Sequence, residues 1–291
     1  MSTIPSRRVE SGHIIIFDAL AFLGCFLTVA VLVPALLSPR IKRSETWFGL
    51  LMSWLLYSVS YILLIGRQVG PKPSLGLCMF QSALVYATSP LCAAATMCFA
   101  FDCFLKLSKI SPNGRTIGRK TAKMLVIFPW VLALVIAGEA ILSVNDSSKV
   151  RRNASHFYCH ITSRVPSLVN AIIVVLCILV IIPLEIYTGF LLYRNWTLFK
   201  RLSITRARIA LSTLTRLALF SFIISLALFL TILSATRIDH PRLGPAWYMI
   251  LISLPSFSAL CFGIQKDILE AWLFWRKKES DPASSTETAE V

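Results

Sequence analysis

The sequence is poor in charge for its length. Charged residues make up 15% of the 291 positions, against roughly 25% in an average soluble protein. Hydrophobic residues reach 56%. A composition this apolar excludes an ordinary soluble domain with one core, and it favours a membrane protein.

Histidine is scarce, and none of the four histidines lies inside a long apolar run. The His-Glu-x-x-His and Gly-x-Ser-x-Gly patterns of hydrolytic sites are absent. The last apolar run has no lysine, which excludes a retinal Schiff base. We therefore expect no enzyme activity, and no catalytic residue, metal or cofactor.

The net charge of +15 does not indicate nucleic-acid binding. The basic residues occupy short segments between apolar runs, and they form no basic face with interleaved aromatic residues. Membrane topology explains their distribution, so the expected partner is the lipid bilayer.

Seven apolar runs divide the chain: Ile14–Leu37, Trp47–Ile65, Cys78–Leu107, Met124–Val144, Val165–Tyr193, Leu217–Thr236 and Ala246–Ile264. Each run is long enough to span a bilayer as a helix, and lipid requires the backbone to satisfy its own hydrogen bonds. We predict an all-α integral membrane protein, with a seven-transmembrane-helix bundle over residues 14–264.

The positive-inside rule orients this bundle. With the N-terminus outside, the inner segments hold about two thirds of the 29 Lys and Arg residues. Residues 1–13 are then extracellular, residues 265–278 form a short amphipathic helix in the inner interface, and residues 279–291 form a disordered cytoplasmic tail. The plasma membrane is the expected location.

Two cysteines lie at the predicted outer face, whereas the other six lie in apolar runs. Cys78 opens the third run, and Cys159 lies in the long loop after the fourth. In an oxidising compartment they would form a disulfide that holds this loop over the bundle. Two unrelated thiols are the alternative.

The chain resembles the rhodopsin-like G-protein-coupled receptors over residues 14–278. The resemblance is carried by the Cys78 and Cys159 pair, an acidic residue at the end of the third run, Trp130, and prolines at positions 183 and 255. The stretches SPRIKRSETWFGLLMSWLLYS and GIQKDILEAWLFWRKK look like divergent receptor-like proteins of basidiomycete fungi.

The resemblance implies a receptor that transmits binding of an extracellular ligand to a heterotrimeric G protein. The family's Asp/Glu-Arg-Tyr triplet corresponds here to Asp102-Cys103-Phe104, so its arginine is absent. Candidate contacts with a G protein or with anionic lipid are Cys103, Phe104, Lys200, Arg201, Arg206 and Arg208. A secondary transporter or a non-signalling receptor-like protein is the alternative.

Ionisable groups inside a membrane are functional candidates. For Asp102 we predict an activation latch with Arg216, or a pairing with Arg115, and the alternative is a carboxylate solvated at the interface. Glu139 lies near the outer end of the fourth run. We predict that it contacts ligand in the pocket, with a role at the interface or between helices as the alternative.

The topology can be tested with the three Asn-x-Ser/Thr patterns. Asn145 and Asn153 lie in the predicted outer loop, and Asn195 lies inside. In a eukaryotic host we expect glycosidase-sensitive modification at Asn145 or Asn153, and none at Asn195. Asparagine-to-glutamine variants assign the site, and modification at Asn195 instead would invert the topology.

Overall fold

The computed structural model describes the backbone of residues 4–38, 41, 43–108, 118–144, 149–153, 155–194, 204–236, 243–263, 265, 268–269 and 272. Side chains are described for the same residues except 4–11, 119, 204–210, 228–236 and 243–247.

The described residues contain seven helices and one hairpin. The helices are α1 (Ile4–Leu37), α2 (Glu45–Ile62), α3 (Leu75–Ser108), α4 (Arg119–Leu142), α5 (Arg164–Arg194), α6 (Ile204–Thr236) and α7 (Leu243–Gly263). Strands β1 (Val150–Arg152) and β2 (Cys159–Ile161) pair antiparallel between α4 and α5. The mainly helical prediction is confirmed, but the hairpin corrects "all-α". Strands of three residues are too short to show an alternating pattern.

Four helical segments are long and apolar enough to cross a membrane: Gly12–Leu37, Leu75–Ser108, Lys120–Leu142 and Arg164–Arg194. Within the described residues of α6 and α7, the apolar segments Leu211–Ala227 and Tyr248–Gly263 are shorter. The structure is therefore compatible with a membrane protein.

Helix boundaries differ most from the apolar runs at two places. The first helix begins at Ile4 rather than Ile14, and the sixth begins at Ile204 rather than Leu217. An apolar run marks the length that suits lipid, whereas helical hydrogen bonding continues into polar residues. Of the predicted amphipathic segment, residues 265, 268, 269 and 272 are described, and the predicted tail lies outside the described residues.

Helix α3 lies at the centre of the bundle. In the most apolar part of α3, 78% of the residues are buried. The corresponding share is 28% in α1 and 22% in α4 and α5. It contacts α2, α4, α5, α6 and both strands. The small residues Ala93, Ala94 and Ala95 are all buried there, and small side chains let neighbouring helices approach closely.

Helices α1 and α7 approach each other at two glycines. A Cβ atom at Gly24 would lie 3.0 Å from Cβ of Pro255, and one at Gly263 would lie 2.1 Å from Cγ2 of Val31. A larger residue at position 263 would therefore overlap α1.

The segment after α7 is attached to α1 where a proline interrupts α1. Pro34 has no N–H group, so the carbonyl of Ala30 loses its usual helical donor. The indole nitrogen Nε1 of Trp272 donates to this carbonyl at 2.9 Å, and Ile268 is buried nearby in the same core cluster as α1 residues. The amphipathic segment thus replaces a hydrogen bond that α1 lacks.

The approach of α1 and α7 predicts the effect of substitution at Gly263. We expect Gly263→Ala to lower the free energy of unfolding by about 1–3 kcal/mol, because the new methyl group overlaps Val31. Unfolding in detergent measures the loss, and adding Val31→Ala should recover most of it. In the matched control Gly138→Ala, nothing lies within 4 Å of the new methyl group. A loss at Gly138 equal to that at Gly263 would contradict the close approach.

Candidate functional site

A cavity of about 490 Å³ lies between α2, α3, α5, α6 and α7. This volume is in the range of small-molecule pockets, about 300–1,000 Å³. Aromatic side chains form much of its wall: Trp54, Tyr57 and Tyr61 from α2, Tyr86 from α3, Tyr158 from the hairpin and Tyr248 from α7.

None of the described residues that line the cavity is charged. Its polar groups include Ser89, Ser167 and Asn170. Two buried atoms of lining residues have no hydrogen-bond partner among the described residues: Oδ1 of Asn170 and Nε1 of Trp54. An unpaired buried polar group is costly, so both residues are candidates for hydrogen bonds to a ligand.

The tyrosines at the hairpin end of the cavity pack against one another. Ring centroids lie 5.1 Å apart for Tyr57 and Tyr61, 5.5 Å for Tyr61 and Tyr158, and 5.6 Å for Tyr158 and Tyr248. The last two pairs meet edge to face, an arrangement favoured by aromatic quadrupoles. Tyr158 thus joins α2 to α7 across the cavity.

The hairpin is attached to α3 by the predicted disulfide, which the structure contains. Cys78 and Cys159 are bonded, with their Cα atoms 5.3 Å apart. Gln81, one turn further along α3, accepts a hydrogen bond on Oε1 from the Cys159 N–H at 3.0 Å. Its Nε2 donates to the Ser60 carbonyl at 3.1 Å. One buried amide therefore ties the hairpin, α3 and α2 together.

The hairpin turn inserts between α1 and α7. Phe157 is 1% exposed, and its ring stacks on Phe17 with centroids 4.4 Å apart. Tyr158 follows it and lines the cavity. The turn therefore forms a roof over the cavity, which we define as the described residues 152, 153 and 155–159.

A second set of polar contacts fixes the roof to the α2–α3 turn. Arg152 donates to the carbonyls of Arg67, Gln68 and Gly70 at 3.3, 2.8 and 2.9 Å. Nε2 of Gln68 in turn donates to Oδ1 of Asp18 on α1 at 2.6 Å. Asp18 thus helps to hold the end of the bundle at which the hairpin lies.

The opposite end of α3 carries the buried carboxylate of Asp102, with Thr46 and Lys106 beside it. We call these three residues the Asp102 cluster. Asp102 is 7% exposed. Its Oδ2 accepts a hydrogen bond from Oγ1 of Thr46 at 2.7 Å and lies 2.5 Å from Nζ of Lys106. The carboxylate is therefore neither exposed to solvent nor without a counter-charge.

The predicted latch between Asp102 and Arg216 is not formed in this structure. Nη1 of Arg216 donates instead to the carbonyl of Cys261 on α7 at 3.2 Å. Lys106 lies one turn from Asp102 on the same helix, which brings a cation to it without any contact from α6. The other predicted partner, Arg115, lies outside the described residues.

Glu139 is not among the described residues that line this cavity, and its contact with ligand stays a prediction. Its Oε1 accepts from Oγ of Ser143 at 2.9 Å, and its Oε2 has no hydrogen-bond partner among the described residues. Helix α4, which carries Glu139, contributes none of the described residues of the cavity wall. Glu185, by contrast, links α5 to α6, because its Oε1 accepts from Oγ of Ser221 at 2.6 Å.

The predicted glycosylation sites are only partly described. Asn145 lies outside the described residues. Asn153 is 6% exposed, and its Oδ1 accepts from the Phe157 N–H at 2.9 Å. Its Nδ2, the atom that would carry a glycan, is buried. The folded structure therefore does not support glycosylation at Asn153.

Only some of the residues predicted to contact a G protein or lipid have described side chains. Cys103 is half-buried and packs against the main core cluster. Phe104 packs against Tyr187 on α5, with ring centroids 5.6 Å apart. Lys200 and Arg201 lie outside the described residues, and Arg206 and Arg208 have described backbone in α6 but no described side chains. Contact with a G protein or lipid stays a prediction for all of them.

A series of buried aromatic rings leads from the cavity to the C-terminal half of α3. The ring of Trp54 packs against Phe220 on α6, with ring centroids 5.5 Å apart. Phe220 packs against Phe262 on α7 at a centroid distance of 5.4 Å, and Phe262 packs against Phe99 on α3 at 5.5 Å. All three contacts are edge to face. We call these four residues the aromatic series.

The sequence predicted a ligand pocket but not the polar groups that the structure places at the cavity and the hairpin. The candidates were ionisable side chains, whereas Asn170 in the cavity wall and Gln81, which is bonded to the hairpin, are neutral amides within apolar runs. A lone amide in such a run was the available signal, because an amide in lipid needs a partner.

No protein-family model and no curated protein matches the chain.

His160 lies on β2, outside the helices. It makes a contribution to stability that depends on pH. Burial, and secondarily the charge of Arg151, lowers the pKa of His160 from its ordinary value of 6.5. Its Nδ1 is buried without a hydrogen-bond partner among the described residues. The neutral imidazole is therefore the form that the fold favours.

Because the pKa of His160 is lower in the folded state, the unfolded state binds more protons as pH falls through 6.5. The contribution of His160 to stability is thus lost on acidification. We expect His160→Gln to reduce the drop in Tm between neutral and mildly acidic buffer. His156→Gln, in the exposed turn, is the control, and an equal effect of the two would contradict a role for burial.

Proposed function

We propose that the protein is a seven-helix membrane receptor, coupled to a heterotrimeric G protein, with its N-terminus outside and its C-terminus in the cytoplasm. The cavity binds an extracellular ligand, and a cytoplasmic partner reads the resulting change at the inner ends of the helices. The rhodopsin-like resemblance of the sequence agrees with this function.

The position of α3 is the observation that carries the proposal. Its outer half provides Tyr86, Ser89 and Cys92 to the cavity wall and holds the roof through Cys78. Its inner end holds the buried Asp102 cluster. One rigid, buried element therefore connects a ligand-sized cavity to a charged cluster at the far end.

The aromatic series supplies a second physical connection. Trp54 lines the cavity, and the series ends at Phe99, about one turn before Asp102 on α3. Close-packed rings have few alternative arrangements, so a change at Trp54 shifts its neighbours rather than being absorbed. The series also passes through α6 and α7, so a ligand that displaces Trp54 changes the packing of three other helices.

Ligand binding then acts by shifting a population between two arrangements of the bundle. A ligand achieves this only through a difference in its affinity for the two arrangements. In the resting arrangement, Thr46 and Lys106 hold Asp102 buried. In the signalling arrangement these contacts are broken, and the inner surface becomes available to the G protein.

The test measures nucleotide exchange. Purified protein in nanodiscs is combined with a panel of G-protein α subunits, and ligand-independent exchange is recorded. We expect Asp102→Asn to raise this basal exchange several-fold, because the neutral amide pairs weakly with Lys106 and destabilises the resting arrangement. Asp18→Asn makes the same change at the outer end, and it should leave basal exchange unchanged.

Two outcomes would count against the proposal. Equal effects of Asp102→Asn and Asp18→Asn would show that the inner cluster has no special role. Absence of exchange with every α subunit, together with solute uptake by vesicles containing the protein, would favour a secondary transporter.

A further inference from the structure

The roof closes the cavity on the side of the hairpin. Tyr158 spans from Tyr61 to Tyr248 above the cavity, while the neighbouring Phe157 is enclosed against Phe17. The disulfide and the three hydrogen bonds of Arg152 hold the roof in place. A ligand arriving along the bundle axis would have to displace these contacts together.

The accessible part of the cavity wall lies on α5. Among the described lining residues, Ser167 and Ala171 are exposed, whereas the others are buried or half-buried. The two are four positions apart and therefore lie one above the other on the same face of α5. Exposed apolar residues such as Leu168 (61%) and Ile172 (49%) flank them on this helix. The opening thus belongs to a helix with an apolar outer surface.

The chemistry of the wall selects against charged ligands. Its described residues offer no carboxylate, ammonium or guanidinium group to pair with an ion, and an unpaired charge in such a site is expensive. A cation held by the tyrosine rings is disfavoured further, because the rings already pack against one another and the chain carries a net charge of +15. Apolar surface with a few polar groups remains.

We propose that the ligand is an uncharged, mainly apolar molecule that reaches the cavity from the lipid phase, through the opening at Ser167 and Ala171 on α5. It donates a hydrogen bond to Oδ1 of Asn170, which lies one position before Ala171 on α5. This inference rests on the proposed function, since it assigns the ligand class and the route of the same receptor cavity.

The ligand class is tested with two fluorescent probes that share their aromatic rings. N-phenyl-1-naphthylamine is uncharged and has one N–H donor, and 1-anilinonaphthalene-8-sulfonate adds a sulfonate. Binding to the full-length protein in nanodiscs is measured as the saturable fluorescence above protein-free nanodiscs. We expect saturable binding of the uncharged probe at least tenfold tighter than that of the sulfonate.

The polar contact is tested with the same probe. Asn170→Leu keeps a similar volume but removes the acceptor, so we expect affinity for N-phenyl-1-naphthylamine to fall about threefold to tenfold, the range of one neutral hydrogen bond. Affinity unchanged in Asn170→Leu would remove Asn170 from the site.

The route is tested by association kinetics. We expect Ala171→Trp to slow association of N-phenyl-1-naphthylamine at least fivefold by filling the opening. Leu168→Trp places the same group on the lipid-facing surface of α5, outside the cavity wall, and should leave the rate unchanged. Arg152→Ala loosens the roof and should also leave the rate unchanged. Should Ala171→Trp fail to fold, Ala171→Leu takes its place.

Several results would overturn the inference. Tighter binding of the sulfonate, or no saturable binding of either probe, would refute the ligand class. Faster association in Arg152→Ala, with no effect of Ala171→Trp, would show a route through the roof. These measurements use no G protein. Probe binding that depends on Ala171, without nucleotide exchange, would therefore sustain this inference and refute coupling.

Discussion

The enclosure of α3 is the constraint on which the rest of the structure depends. A helix surrounded by other helices must present small side chains to them, and α3 does so with its run of alanines at positions 93–95. The surrounding helices α2, α4, α5 and α6 are placed by contact with it, and the hairpin is attached to its N-terminal end. The cavity exists because these neighbours meet around α3 without filling the space beneath the roof.

Hydrophobic length and cysteine position were enough to predict much of this arrangement. Long apolar runs predict helices because no other single segment satisfies its backbone in lipid, and the centres of all seven helices follow those runs. The Cys78–Cys159 disulfide was predictable because these two thiols alone lay at the predicted outer face, one opening the third run and the other in the loop after the fourth. The runs did not predict where a helix continues into polar residues. In α6, for example, the helix begins at Ile204, before the run begins at Leu217.

Pairing between distant side chains could not be predicted in the same way. The predicted topology brings several basic residues near Asp102, and its contact with Thr46 depends on how α2 packs against α3. Only Lys106, one turn away on the same helix, lies near Asp102 whatever the packing. Glu139 was assigned to a pocket by its depth alone, whereas the side of α4 on which it lies decides its contacts. The cavity is likewise a property of several helices at once, and no single segment of sequence encodes it.

The bond from Trp272 to the carbonyl of Ala30 makes the first helix depend on a residue that follows the seventh. Until residue 272 has been synthesised, Pro34 leaves the Ala30 carbonyl without this donor. The hydrogen bonding of α1 is therefore completed only after α7 has been made. A chain cut between α7 and Trp272 would retain every helix described above, yet its first helix would lack the hydrogen bond that Trp272 donates to the Ala30 carbonyl.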